Sequence, residues 1–395
     1  MHSSMKYWKF LAVPALSLFL LPAVADAQHY TQTNLVSNVL GRAPVTDPNL
    51  QNAWGLVASP TSPWWVSNNA GGTSTLYSSV TTPTAVIPLV VTIPNAPSQP
   101  APGSPTGVMF NGTATDFLLD PNNPASRAIF LFVTEDGTVQ GWNPGIKATM
   151  AVIKVDNSQV PKAQNGAVYK GATIAEIDGK HFILAANFRS GRIDVFDSNF
   201  KQVSLHKDDS DDDAFDDDRI PKDFAPFNVQ GVGPNIYVTY AKQDAAKHDP
   251  VRPGDPGDGF VDVFNSHGRL LQRFEHGKWF NAPWGVVWAI PNFGEFSNTI
   301  LIGNFRSGNI SAFNPVTGRF LGNMLKPDGT TLTIDGLWAL RFGNSDGSKN
   351  AKGNFNSNAG SALTLFFTAG PDLEVNGLFG TLTSVPAELG EADEQ

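Results

Sequence analysis

A glycine-anchored strand recurs six times along this chain, and that recurrence limits the fold more than any other feature. The copies are WGLVAS (Trp54–Ser59), TGVMF (Thr106–Phe110), KGATIAEI (Lys170–Ile177), QGVGPNIYV (Gln230–Val238), WGVVWAI (Trp284–Ile290) and DGLWAL (Asp335–Leu340). A second strand follows each, as in WWVSNN, FILAANF and ILIGNF. A third alternates apolar and polar residues, as in STLYSSV and RIDVF, and a more variable fourth follows, as in PLVVTI and TMAVIKV. Apolar residues two apart mark strands with one face buried. Four-stranded units that cannot bury their faces alone stack radially, so the pattern predicts an all-β, six-bladed β-propeller with four antiparallel strands per blade. After GLFGTLTS the last unit lacks a fourth strand, and YTQTNLVS (Tyr30–Ser37) is left over; the expectation is that this N-terminal strand closes the ring.

The segment before that strand has a different character. Lys6 and Lys9 precede an apolar run from Phe10 to Val24, and Ala25-Asp26-Ala27 supplies small residues for cleavage. Residues 1–27 read as a secretory signal peptide, with residues 28–395 a single propeller domain in a secreted or periplasmic protein. Removing them takes away two lysines and one aspartate and moves the net charge from −9 to −10. That charge argues against nucleic acid as a partner, and no further apolar run is long enough for membrane insertion. With 0 cysteines, the exported chain must be held by its core alone, and thiol catalysis is excluded.

In a propeller, the loop into each innermost strand and the turn between the second and third strands emerge on one face. The residues just before the six anchoring glycines, Trp54, Thr106, Lys170, Gln230, Trp284 and Asp335, are therefore expected around the mouth of the axial channel. They would form either a small-molecule cup or a plug whose members pair among themselves. Asn-Phe-Arg-Ser-Gly occurs twice, at 187–191 and 304–308, where the second strand turns into the third. Gly191 and Gly308 suit positive-φ turn positions, and Asn187 and Asn304 suit bonds to turn backbone. Arg189 and Arg306 are not required by a turn and are ligand-binding candidates, with ion pairs between blades as the ordinary account. The stretch from Ala241 to His248 reads as a weak helix.

Two long loops should share that face. One is the acidic loop 207–219, with eight aspartates between Asp208 and Asp218, which reads as a solvated, self-repelling segment; the other is loop 241–259. Together they suggest a lid or a partner-binding rim. No H-E-x-x-H helix or Walker loop occurs.

The ordered set NLVSN, NAWGL, NFRSG, APFNVQ and NAPWGV resembles a family of exported bacterial proteins of unassigned activity, some of which carry an exosortase-type sorting tail. The likeness spans nearly all of the chain after residue 27; here the final residues GEADEQ do not match such a tail. More broadly the chain looks like the six-bladed propellers of the NHL-repeat and gluconolactonase groups. That resemblance implies a divalent ion, Ca2+ for instance, held at the channel mouth by carboxylate and asparagine oxygens. Asp335, Asn187 and Asn304 are the candidates, with Asn68, Glu135 and Asp136 nearby in the turns. Three functions stay open: a propeller binding a small molecule or protein at the channel-mouth face, a metal-dependent hydrolase or lactonase on the same scaffold, and a structural cell-surface component.

Overall fold

The computed structural model describes residues 29–206, 213–350 and 356–385. The signal-peptide reading and the C-terminal GEADEQ lie outside these residues, as do residues 207–212 of the acidic loop. The described chain forms six sheets around an axis, each with four strands in antiparallel succession, to which the two-residue strand Val45–Thr46 adds a parallel edge on one sheet. The innermost strands are Ala53–Val57, Pro105–Phe110, Tyr169–Ile177, Phe224–Val232, Pro283–Trp288 and Leu337–Phe342. The blades they begin are numbered one to six in that order.

Ring closure follows the expectation. Tyr30–Ser37 pairs antiparallel with Leu378–Ser384, from Tyr30 opposite Ser384 to Ser37 opposite Leu378, and so becomes the outermost main strand of blade six. Tyr30 is fully buried, donates its hydroxyl to the Phe293 carbonyl (3.0 Å) and accepts from the Phe296 amide (3.2 Å). The closing strand is thereby also fixed to blade five. Apolar clusters fill the seams between neighbouring blades, as where Val133 and Val139 of blade two meet Tyr169, Ile183 and Phe196 of blade three. The only helices among the described residues are three short 3-10 turns, and the expected helix at 241–248 is absent. Ala241 and Lys242 instead complete the strand Asn235–Lys242 before the loop begins.

One irregularity is shared by all six blades. Each innermost strand carries a β-bulge near its start, after Ala53, Pro105, Tyr169, Pro226, Pro283 and Leu337. A bulge adds a residue and re-aims a side chain, and here it turns one residue per blade toward the axis. In four blades the next residue is a glycine, because neighbouring innermost strands nearly touch there: a Cβ on Gly55 would lie 2.4 Å from the Thr106 carbonyl oxygen, and one on Gly171 2.0 Å from Asn228 Oδ1. The recurrent glycine is thus a requirement of close approach, not of a turn.

Candidate functional site

The bulges determine which residues meet at the axis, and they correct two expected positions. In register, the six are Trp54, Thr106, Lys170, Phe227, Trp284 and Trp338. Blade four places Phe227 and Asn228, and blade six Trp338 and Ala339, where the other blades have a residue followed by glycine. Gln230 and Asp335 are therefore each three residues out of register. Gln230 lies farther down the axial channel, and Asp335 is exposed in the preceding loop, where it accepts from the Asp372 amide at 2.8 Å.

The true ring is a plug. Trp54 and Trp284 stack with centroids 6.4 Å apart, Trp338 meets Trp54 edge-on at 3.9 Å, and Phe305 stacks on Trp338 at 3.9 Å. Phe188 and Phe227 join the same fully buried cluster. Phe188 and Phe305 are the aromatic residues of the two Asn-Phe-Arg-Ser-Gly turns, so the repeated pentapeptide sends its Phe into the axial plug. The turns form as expected, with Gly191 at φ 74° and Gly308 at φ 70°. Side chains tie the ring together from blade to blade: Thr106 donates to the Tyr169 carbonyl (2.8 Å), Asn228 to that of Trp284 (2.8 Å) and Thr368 to that of Trp54. Trp284 Nε1 donates to the Lys170 carbonyl at 2.9 Å.

Lys170 is the charged member of the ring. Its side chain has no exposed surface, and its Nζ lies over the rings of Trp54 (5.3 Å) and Phe188 (5.8 Å). It pairs with Glu135, from the blade-two turn, and with Asp249, from loop 241–259, at 2.7 Å. Burial alone would lower the Lys170 pKa, but the two carboxylates outweigh it and the ammonium is held above its ordinary value. Burial likewise favours the neutral acid at Asp249, yet Lys170 and His248 pull its carboxyl well below the usual carboxylate range. Loop 241–259 does reach the channel mouth, as the sequence suggests, and it supplies half of this buried pairing.

The surrounding charges continue the network. Asn69 donates to Glu135 at 2.8 Å, and Asn52 donates to Glu374 at 3.3 Å. Glu374 also pairs with Arg252 of the loop and lies 3.8 Å from Arg306. Arg306 donates to the Pro250 (2.5 Å) and Val251 (3.3 Å) carbonyls, while Arg189 donates to the Gly166 carbonyl (2.9 Å). The two arginines of the repeated turns therefore act mainly on carbonyls, and Arg306 pins the loop. Burial, reinforced by Arg252, lowers the Arg306 pKa to about 10. Asp136, beside Glu135, is pushed up to about 6, chiefly by burial.

The asparagines expected as metal ligands are committed to bonds within their own blades. Asn187 accepts from the Val168 amide (3.3 Å) and donates to Asp194 (2.9 Å); Asn304 accepts from the Asn281 amide (3.0 Å) and donates to the Asn309 carbonyl (3.3 Å). A different trio, Glu135, His248 and Asp249, brings its ligand atoms within 4.8 Å of one another. Lys170 already places its ammonium against both of those carboxylates. The described end of the acidic loop does not lie over the axis: Phe215 packs on Phe264, and Asp217 is buried in ion pairs with Arg273 and Arg219 in the seam between blades three and four.

No family model matches the chain. Its relatives include two uncharacterized proteins of Acanthamoeba polyphaga mimivirus: L690, 29% identical over 350 residues, spanning 88% of this chain and 84% of that protein, and R648. Among solved structures, an α-L-arabinofuranosidase from Fusarium graminearum, determined with an iminosugar inhibitor, is similar with a TM-score of 0.51 and 10% identity, covering 90% of this chain and 98% of that one. At that identity the likeness shows the six-bladed scaffold alone. At 30% identity over 348 residues, spanning 88% of this chain and 78% of its relative, the chain belongs to the family of the mimivirus protein R648.

Proposed function

We propose that the protein is an exported binding propeller that takes a polar ligand, a small molecule or a segment of a partner protein, on the channel-mouth face. The observation that carries this reading is the division of that face. A solid aromatic plug blocks the channel, and directly above it Glu135, Asp249, His248, Glu374, Arg252 and Arg306 gather under a loop that crosses the mouth. A plugged channel leaves no passage for substrate, so recognition falls to the rim, where acids and bases alternate within a few ångströms. Such a surface suits a ligand rich in hydroxyl and amino groups, which can pair with both signs. Export rests on Lys6, Lys9 and the apolar run to Val24, and amino-terminal sequencing of protein recovered outside the cytoplasm would check cleavage after Ala27.

Thermal shift against a panel of monosaccharides, polyols, amino acids and amines tests the binding reading, with Asp249→Ala as the control. A compound that raises the melting temperature of the wild type and not of the variant bears it out. A panel without such a compound overturns it. The rival reading, a divalent-metal hydrolase or lactonase, draws on the Glu135–His248–Asp249 trio. Calcium-dependent stabilisation of the wild type that Asp249→Ala loses would favour it, whereas an equal response in both removes that site.

A further inference from the structure

Beneath the aromatic plug, at the opposite end of the axis, the channel is differently furnished. A cavity of about 20 Å³ is lined by all six innermost strands, among them Gly55, Val108, Ala172, Gln230, Val286 and Arg341. It adjoins an open pocket of about 230 Å³ between the lower ends of blades four, five and six, and the two share Gln230, Val286, Leu340 and Arg341. The rest of the pocket wall is largely apolar: Val232, Val287, Ile290, Phe342 and Trp288, which is 44% exposed.

Among the described residues, Arg341 is the one ionisable side chain lining either space. Its Nε donates to the Leu56 carbonyl at 3.0 Å, and no described carboxylate pairs with it. Burial is the sole cause that shifts its pKa, downward, with no acid opposing it. This differs from the upper face, where Lys170, Arg252 and Arg306 each have a carboxylate partner. A half-buried guanidinium without a counter-charge, facing a largely apolar wall, favours an anion, and its planar fork matches a carboxylate. Gln230, half-buried beside it, offers an amide to the same ligand.

We propose that this lower pocket is a second binding site, for a small organic carboxylate whose anionic end meets Arg341 and whose apolar body lies against Trp288, Val287 and Phe342. The pocket's size favours an aryl or branched-chain acid over a lipid. The site is independent of the channel-mouth reading, from which the plug separates it.

Calorimetric titration of the full chain with phenylacetate, and with phenylacetamide as its neutral counterpart, tests the proposal. Phenylacetate should bind and phenylacetamide should bind about tenfold more weakly or worse, in keeping with loss of a charge-assisted hydrogen bond. Arg341→Met should weaken phenylacetate by about tenfold or more, with Arg341→Lys in between. Trp288→Ala, a change at an exposed side chain, should weaken it severalfold at unchanged melting temperature, and Asp249→Ala should leave it as in the wild type. Failure of phenylacetate to bind, or equal binding by phenylacetamide, overturns the proposal. So does chloride displacing phenylacetate in a manner indifferent to Trp288→Ala, which would mark a simple anion site.

Discussion

Replacing Lys170 with methionine is the most informative single perturbation. The side chain is fully enclosed, over Trp54 and Phe188, and its ammonium neutralises Glu135, itself only 13% exposed, together with the more open Asp249. Methionine keeps most of the volume and the ring contacts, so the loss is mainly electrostatic: Glu135 stays under the loop with Asn69 as its remaining partner. Removing one member of a buried pair typically costs about 3–5 kcal/mol. The solvent reaching Asp249 argues for the lower end, about 3 kcal/mol. For a domain of this length the unfolding entropy at the midpoint is about 0.75 kcal/mol per degree, so the melting temperature should fall by about 4 °C. Adding Glu135→Gln removes the stranded charge and should recover at least half of the loss.

The pH dependence follows from the signs of the shifts. Lys170 is raised, so its contribution is complete below the ordinary lysine pKa and is lost as pH climbs through the folded value. Asp249 is lowered, so its contribution is complete above the ordinary aspartate pKa and is lost as pH falls through the folded value. The pair is thus fully effective from about pH 5 to about pH 9, and the stability difference between wild type and Lys170→Met should be flat there and narrow on both sides. Urea unfolding at several pH values, followed by tryptophan fluorescence, measures this. A Lys170→Met protein within about 0.5 kcal/mol of wild type at pH 7, or a double variant no better than the single, would refute the reasoning.

Two further outcomes are expected. Gly171→Ala would force a Cβ to within 2.0 Å of Asn228 Oδ1 and push apart the innermost strands of blades three and four, so it should cost about 3 kcal/mol or more in urea unfolding, whereas Gly179→Ala, with open space at the Cβ but a positive φ, should cost less. Asp136 titrates at about 6 in the folded chain, so between pH 4 and 6 stability falls as pH rises; Asp136→Asn should flatten that slope in a series of melting curves and leave the protein more stable than wild type at pH 7.

The scaffold could be read from the letters because its cause is local. Alternation within strands and a close-approach glycine at four of six bulges are written within a few residues of one another, and so is the unpaired strand at 30–37. Where the cue and the requirement part, the letters mislead. Blades four and six carry Asn228 and Ala339 at that position, so the nearest glycines, Gly231 and Gly336, point three positions away from the axial residue. Gly336 is a glycine for another reason, a positive φ of 64°. The charged network was less legible still. Lys170 is legible from its register, but Glu135 and Asp249 reach it from 35 and 79 residues away, and only the packing of blades two, three and four side by side brings them together. The acidic loop shows the converse: composition spoke for solvation, while Asp217 is buried against Arg273.

The pairing of Tyr30–Ser37 with Leu378–Ser384 also bears on how the molecule is made. Joining segments some 340 residues apart costs about 5 kcal/mol of chain entropy if nothing between them has yet folded, and far less once five blades have shortened the path. Tyr30–Ser37, the first of the described strands, is therefore among the last to find its partner. Until then the sheet of blade six presents an open edge, and the growing chain must keep Tyr30–Ser37 from pairing elsewhere.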